Sequence, residues 1–158
     1  QEVCYMTWNF FKEFIPGFQD SILVAVAPMM GIRRSTQIVG QHVYTLEERE
    51  KLLSYSDCIG LVSRKIEGFN EIPFSCTVPV GIDNLLIGSG KNVSTDDYLM
   101  YRTKAHCMVI GQAVGVASSL CVNKHISVNE IEIKELQRNL LNQNVYLGDK
   151  ERLSKLEL

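Results

Sequence analysis

Three groups of residues in this 158-residue chain have the types and spacing to do chemistry. The first is Gly88-Ser89-Gly90-Lys91-Asn92, a turn that ends the brief apolar run Leu85 to Ile87. Glycines at the end of a strand let a ligand come close to bare backbone. The second is Arg102-Thr103-Lys104-Ala105, the polar start of a long helical stretch. A helix N-terminus offers free N–H groups and a positive field to an anionic group, and Arg102 and Lys104 would add to that charge. The bland alternative is a solvated helix end. The third is Arg33-Arg34, expected in a loop between two strands. Its guanidinium forks match the oxygens of a carboxylate or of an acidic sugar, although such arginines also serve as surface salt-bridge partners.

Other constellations fail on spacing. A phosphate loop would need glycine where Leu85 stands and Ser or Thr where Asn92 stands. The dinucleotide pattern G-x-G-x-x-G fails because Val93 occupies the third glycine position. His42 alternates with Ile38 and Tyr44 and reads as packed, and His125 reads as exposed. No Ser-His-Asp or Cys-His set can be assembled. Cys4, Cys58, Cys76, Cys107 and Cys121 are odd in number, widely spaced and without C-x-x-C, which argues against a disulfide framework or a zinc site. Cys107 and Cys121 are expected to be buried thiols in an apolar helix.

These groups need elements to hold them. Tyr5, Trp8, Phe11 and Ile15 form a helical stripe over residues 2–15, ended by Pro16-Gly17. Ile22 to Ala27 and Thr36 to Thr45 read as two strands around the Arg33-Arg34 loop, hence an antiparallel pair. Thr45-Leu46-Glu47-Glu48 is a capping box opening a helix to about Ser54. Ser56 to Val62 leads into a strand, and Ile72 to Val78 reads as an extended edge segment between Pro73 and Pro79. Ala105 to Leu120 carries almost no charge and is expected to be buried nearly all round. Within it Gly111, Gly115 and Ser119 repeat every four residues, a smooth face for close backbone packing. Ser127 to Glu130 can cap again, and a helix starting near Lys134 would face inward with Leu136, Leu140 and Leu141. The charged stretch from Gly148 to Leu158 reads as frayed or as surface helix.

Length and composition fit a globular chain with a real core: 46% hydrophobic and 22% charged residues. A net charge of −2 gives no reason to invoke nucleic acid or an anionic membrane. No run is expected to cross a bilayer, because Ala105 to Val122 includes His106, Gln112 and several serines and glycines. No signal-peptide pattern is visible at the start, and the compartment stays open.

Four stretches, in order, resemble a known family. Asp83 to Ser94 is similar to D-N-L-L-V-A-G-R-N-I-S, and Arg102 to Gly115 to R-V-M-P-T-C-M-A-M-G-Q-A-A-G. Gly31 to Gly40 resembles G-I-R-R-S-R-R-I-V-G, and Leu136 to Leu147 resembles L-R-x-x-L-x-x-Q-G-V-Y-L. These are features of the C-terminal region of FAD-dependent oxidoreductases whose members are sometimes labelled xanthan lyases.

The resemblance implies a mixed α/β (α+β) chain, part of an FAD/NAD(P)-binding flavoprotein fold. Antiparallel substrate-domain strands would be followed by the closing strand and helix of the FAD domain. Residues 1–78 would be a substrate or cap segment and residues 79–158 the C-terminal segment of the FAD-binding domain. That boundary, near Pro79, is one of function rather than of folding. Gly88, Ser89, Gly90, Lys91 and Asn92 would lie near the ribityl chain of FAD. Arg102, Thr103, Lys104 and Ala105 would face the flavin pyrimidine, and Arg33 and Arg34 the substrate. The reaction would be hydride transfer on a carbohydrate-like or small organic substrate. The pyrophosphate-holding part lies outside this sequence, so the expected partner is that N-terminal FAD-binding portion or a second copy of the chain.

Departures from the family pattern cluster around this region. They are Thr36-Gln37, Gln41-His42, Lys65-Ile66-Glu67, an inserted residue in the glycine turn, and Lys104-Ala105. They imply altered or lost chemistry, or a divergent substrate. Two rival readings follow: a non-catalytic remnant or interaction domain that has lost the cofactor, and a polysaccharide lyase. A lyase would need a Tyr, His or Lys base beside a charge-neutralising Arg, and no such set is visible.

Overall fold

The computed structural model describes residues 1–29, 31–33, 36–63 and 68–158. Arg34 and Lys65-Ile66-Glu67, singled out in the sequence, lie outside the described residues. The chain forms two compact units, Gln1–Ile32 and Arg33–Leu158.

The first unit is built on α1, Glu2–Phe14. Its Cys4-Trp8-Phe11 side is met by the returning chain. Trp8 Nε1 donates to Ser21 Oγ at 3.3 Å, and the Phe11 and Phe18 rings lie 5.4 Å apart. The turn between them uses Gly17 at φ +91°, a conformation that suits a residue without Cβ. No α1 residue is buried. The strand expected at Ile22 to Ala27 does not form. Its residues line a groove against α1, so their neighbours are side chains rather than a backbone ladder.

The second unit is a mixed α/β arrangement around a two-stranded antiparallel sheet, as the sequence leads one to expect. β1 (Cys58–Ser63) pairs with β2 (Phe69–Pro73). The register runs Leu61 to Glu71 and Val62 to Asn70, and slips by one residue between Cys58 and Leu61, a bulge at Ile59-Gly60. Pro73 ends the strand, and Phe74–Thr77 is a 3-10 helix, so Ile72 to Val78 is not one extended edge. α2 (Leu46–Lys51) has the full capping box: Glu48 N donates to Thr45 Oγ1 at 3.2 Å and Thr45 N to Glu48 Oε2 at 2.7 Å. It stops short of Ser54 because Leu52 turns left-handed at φ 52°.

Thr36 to Thr45 is not a strand either. It threads between two segments, with Gln41 N bonded to Val78 O (2.9 Å), Ile38 N to Asn92 O (3.0 Å) and Tyr44 N to Ser94 O (3.1 Å). Among the described residues only single bridges result, Gly40 to Pro79 and Tyr44 to Thr95. Its partners come from downstream sequence, not from residues 22–27.

α3 (Lys104–Lys124) packs on β1 and on α4 (Ile133–Asn142). Its buried residues are Ile110, Ala113 and Ala117, whereas Met108 is 73% and Val122 71% exposed. The expectation of burial all round therefore fails, because low charge reports composition and not coverage. Cys107 and Cys121 are correspondingly half-buried. The expectation that no run could cross a membrane also needs correcting: at 21 residues, roughly 31 Å of helix, α3 is long and apolar enough by length and composition. Its inner face is taken up by β1 and α4.

α4 buries Leu136 and Leu140, while Leu141 is half-buried. It follows a second capping box at Ser127 and Glu130. α5 (Lys150–Lys155) closes the described chain as surface helix. Tyr44, Ile59, Ile72, Val93, Tyr101, Ile110 and Leu140 share one core, so residues on both sides of Pro79 pack together.

Candidate functional site around the glycine turn

Leu85 to Ile87 is not a ladder strand. One bond, Ile87 N to Thr77 O at 2.9 Å, fixes its end, and Leu86 and Ile87 lean on the core. Asn84 enters it at φ 52°, a left-handed position that asparagine tolerates.

The turn that follows is held on three sides. Gly88 lies against α3, where a Cβ on Gly111 would stand 3.4 Å from the Gly88 carbonyl oxygen. Of the small-residue face, Gly111 is the part used within the chain, whereas a Cβ on Gly115 would meet nothing within 4 Å among the described residues. Inside the turn, Lys91 N donates to Ser89 Oγ (3.3 Å) and Asn92 N to Ser89 O (3.0 Å). Gly90 is buried, and a Cβ there would run into the Tyr101 carbonyl. At the far end Asn92 Nδ2 donates to Thr36 O (2.8 Å) and Gln37 Nε2 to Val93 O (3.3 Å).

The start of α3 meets the same residue from the other side. Cys107 Sγ–H points to the Tyr101 carbonyl at 3.6 Å, and His106 Nδ1 lies 2.9 Å from the Met100 carbonyl. A carbonyl only accepts, so Nδ1 carries the proton and Nε2 the lone pair. Burial holds the His106 pKa below its ordinary value, and the imidazole is neutral at pH 7. Thr103 is the N-cap residue, but its side chain makes no capping bond, and the first turn of α3 has no acidic residue. The helix thus presents N–H groups and its positive end without an internal counter-charge. Thr103, Lys104 and Ala105 are exposed, and half-buried Arg102 keeps its Nε buried without a hydrogen-bond partner among the described residues. This end of the helix suits an anionic group.

The predicted residues are therefore brought together in part. The turn and the helix start meet through Met100 and Tyr101. Arg33 is exposed and lies three residues before Thr36, which is bonded to Asn92. His42 Nε2 lies 3.1 Å from Glu48 Oε1 without hydrogen-bond geometry, and its ring packs on Tyr55 with centroids 5.5 Å apart. His125 is the exposed left-handed cap of α3, at φ 56°. Tyr101 went unrecognised in the sequence, as did Glu71, whose main-chain carbonyl accepts the Tyr101 hydroxyl at 2.8 Å. An aromatic one residue before a charged helix start was the available signal for Tyr101.

Residues 66–140 match the family model described as FAD dependent oxidoreductase. No curated protein and no solved structure matches the chain. The matched segment holds β2, the glycine turn, Tyr101, all of α3 and most of α4. Over residues 66–140 the chain is accordingly similar to the FAD dependent oxidoreductases.

Proposed function

We propose that the second unit is the flavin-proximal, C-terminal part of an FAD-dependent oxidoreductase acting on a carbohydrate-like or small organic substrate. One observation carries the reading: within the matched segment, the bare backbone of Gly88 to Asn92 and the uncapped start of α3 converge on Tyr101. Flavin supplies a hydride acceptor or donor whose N1/O2 edge gains negative charge on reduction. In this chain the N–H groups at the start of α3, with Arg102 and Lys104, would face that edge and stabilise the charge. Gly88 to Asn92 would bind the ribityl region through main chain. Arg33 would orient a substrate carboxylate or hydroxyl by its guanidinium fork. Residues 1–78 would belong to the substrate side and residues 79–158 to the FAD domain.

The pyrophosphate would be held elsewhere, on an N-terminal FAD-binding portion, so this chain alone is expected to bind FAD weakly. Backbone amide shifts on titration with FAD test the reading. Shifts should concentrate at residues 88–92 and 103–106. Shifts that are absent at millimolar FAD, or that fall elsewhere, overturn it.

A second reading is favoured by the exposed Met108 and Val122 on α3: an interaction domain that has lost the cofactor and covers this face with another protein or a second copy. Light scattering bears on the second-copy form. Concentration-dependent association that Met108→Lys abolishes supports it, and a monomer at all concentrations removes it.

A further inference from the structure

Resting on the flavin reading of the turn, we propose that Tyr101 is the positioning residue of Gly88 to Asn92: its main chain shapes the turn, and its side chain fixes that main chain to the sheet. Five contacts support this assignment. The Tyr101 carbonyl occupies the space a Cβ on Gly90 would take, so the turn can close only over glycine. The same carbonyl receives Cys107 Sγ–H at 3.6 Å, while the neighbouring Met100 carbonyl receives His106 Nδ1–H at 2.9 Å. One dipeptide therefore sets the distance between the turn and the first turn of α3. The Tyr101 side chain anchors that dipeptide. It is fully buried, its ring centroid lies 5.4 Å from that of Tyr44, and its hydroxyl donates to Glu71 O at 2.8 Å.

The anchor point is itself rigid. Glu71 sits in β2, and its side chain is bonded to Ser54, Tyr55 and Arg152. Burial holds the Tyr101 phenol well above its ordinary pKa, so it remains a donor throughout the useful pH range. The far end of the turn has its own ties to Thr36 and Ile38. Loss of the Tyr101 hydroxyl should consequently loosen the near end, Gly88 to Lys91, and the first turn of α3, and leave the core alone.

Amide hydrogen exchange on the whole chain, wild type against Y101F, tests this. One lost hydrogen bond should speed exchange at residues 88–91 and in the first turn of α3 by about three- to tenfold. The amides of Ile59 and Ile110 should keep their wild-type rates. No change at the turn, or the same factor everywhere, overturns the assignment. If Y101F does not fold, G90A reads the same joint from the other side. It should speed exchange at Lys91 and Asn92 with Ile59 unchanged, and wild-type rates at the turn would overturn the assignment. Added FAD keeps the two ideas apart. A loosened Y101F turn with no FAD protection of the wild type retains Tyr101's role and removes the flavin reading. FAD protection with an unchanged Y101F turn does the reverse.

Discussion

The guanidinium of Arg152 in α5 closes on the carboxylate of Glu71 in β2, 81 positions away in sequence. The Glu71 side chain is 6% exposed, and it also accepts from Ser54 Oγ (2.9 Å) and Tyr55 N (2.7 Å). Arg152 further donates through Nε to Leu147 O at 2.7 Å. Removing one partner of a buried pair leaves an uncompensated charge, which costs more than the pair contributes. Arg152→Ala should destabilise the second unit by about 2–4 kcal/mol, read as a lower urea midpoint with an unchanged slope. Arg152→Lys should recover only part of this, because an ammonium lacks the fork.

Acid should weaken the start of α2. Burial pushes the Glu48 pKa up, but the Thr45 amide, His42 and the Thr45 hydroxyl outweigh it, and the net shift is downward. A carboxylate depressed in the folded state contributes stability that is present above its unfolded pKa and is lost as pH falls through the folded value. The loss should therefore appear below about pH 4.5. Urea midpoints measured from pH 6 to pH 3 should fall less steeply for Glu48→Gln than for wild type. Thr45→Ala should cost about 1 kcal/mol at neutral pH.

The cysteines should label in order of burial. Burial pushes the Cys58 thiol up to about 11 and the Cys76 thiol up to about 12, and both are fully buried. Cys4 is exposed. Alkylation at pH 8 followed by peptide mass spectrometry should mark Cys4 first, then Cys107 and Cys121. Cys58 and Cys76 should label only on unfolding. Prompt labelling of Cys58 in the native protein would contradict the packing of β1.

Gly60 and Val109 form a knob-and-gap contact between the β1 bulge and α3, and a Cβ on Gly60 would collide with Val109 Cγ1. Gly60→Ala should cost about 1–3 kcal/mol by overpacking. Val109→Ala in the same chain should restore part of it, giving a coupling of about 1 kcal/mol in a double-mutant cycle. Additive losses would mean that the two do not touch.

Local signals were legible and non-local ones were not. α1, both capping boxes and the Leu136-Leu140 face follow from spacing within a few residues, and the structure has them all. Ile22 to Ala27 and Leu85 to Ile87 have strand composition but no ladder partner among the described residues, and pairing is decided by chain that sequence pattern does not place. Thr36 to Thr45 has partners, but at residues 75–80 and 92–96, which yields bridges rather than a strand. For the site, the glycines of the turn and the charges before α3 stand out by type. Tyr101 does not, because its contribution to the turn is a main-chain carbonyl that any residue carries.

The Glu71–Arg152 pair also bears on how the chain matures during synthesis. Glu71 leaves the ribosome long before its counter-charge has been translated, and the ribosomal tunnel withholds Arg152 longer still. Until then β2 would have to bury a carboxylate that lacks its counter-charge, which disfavours docking of its final form. The second unit should therefore acquire its native packing late, once Arg152 has emerged, and nascent chains stalled before Arg152 should be protease-sensitive around β2.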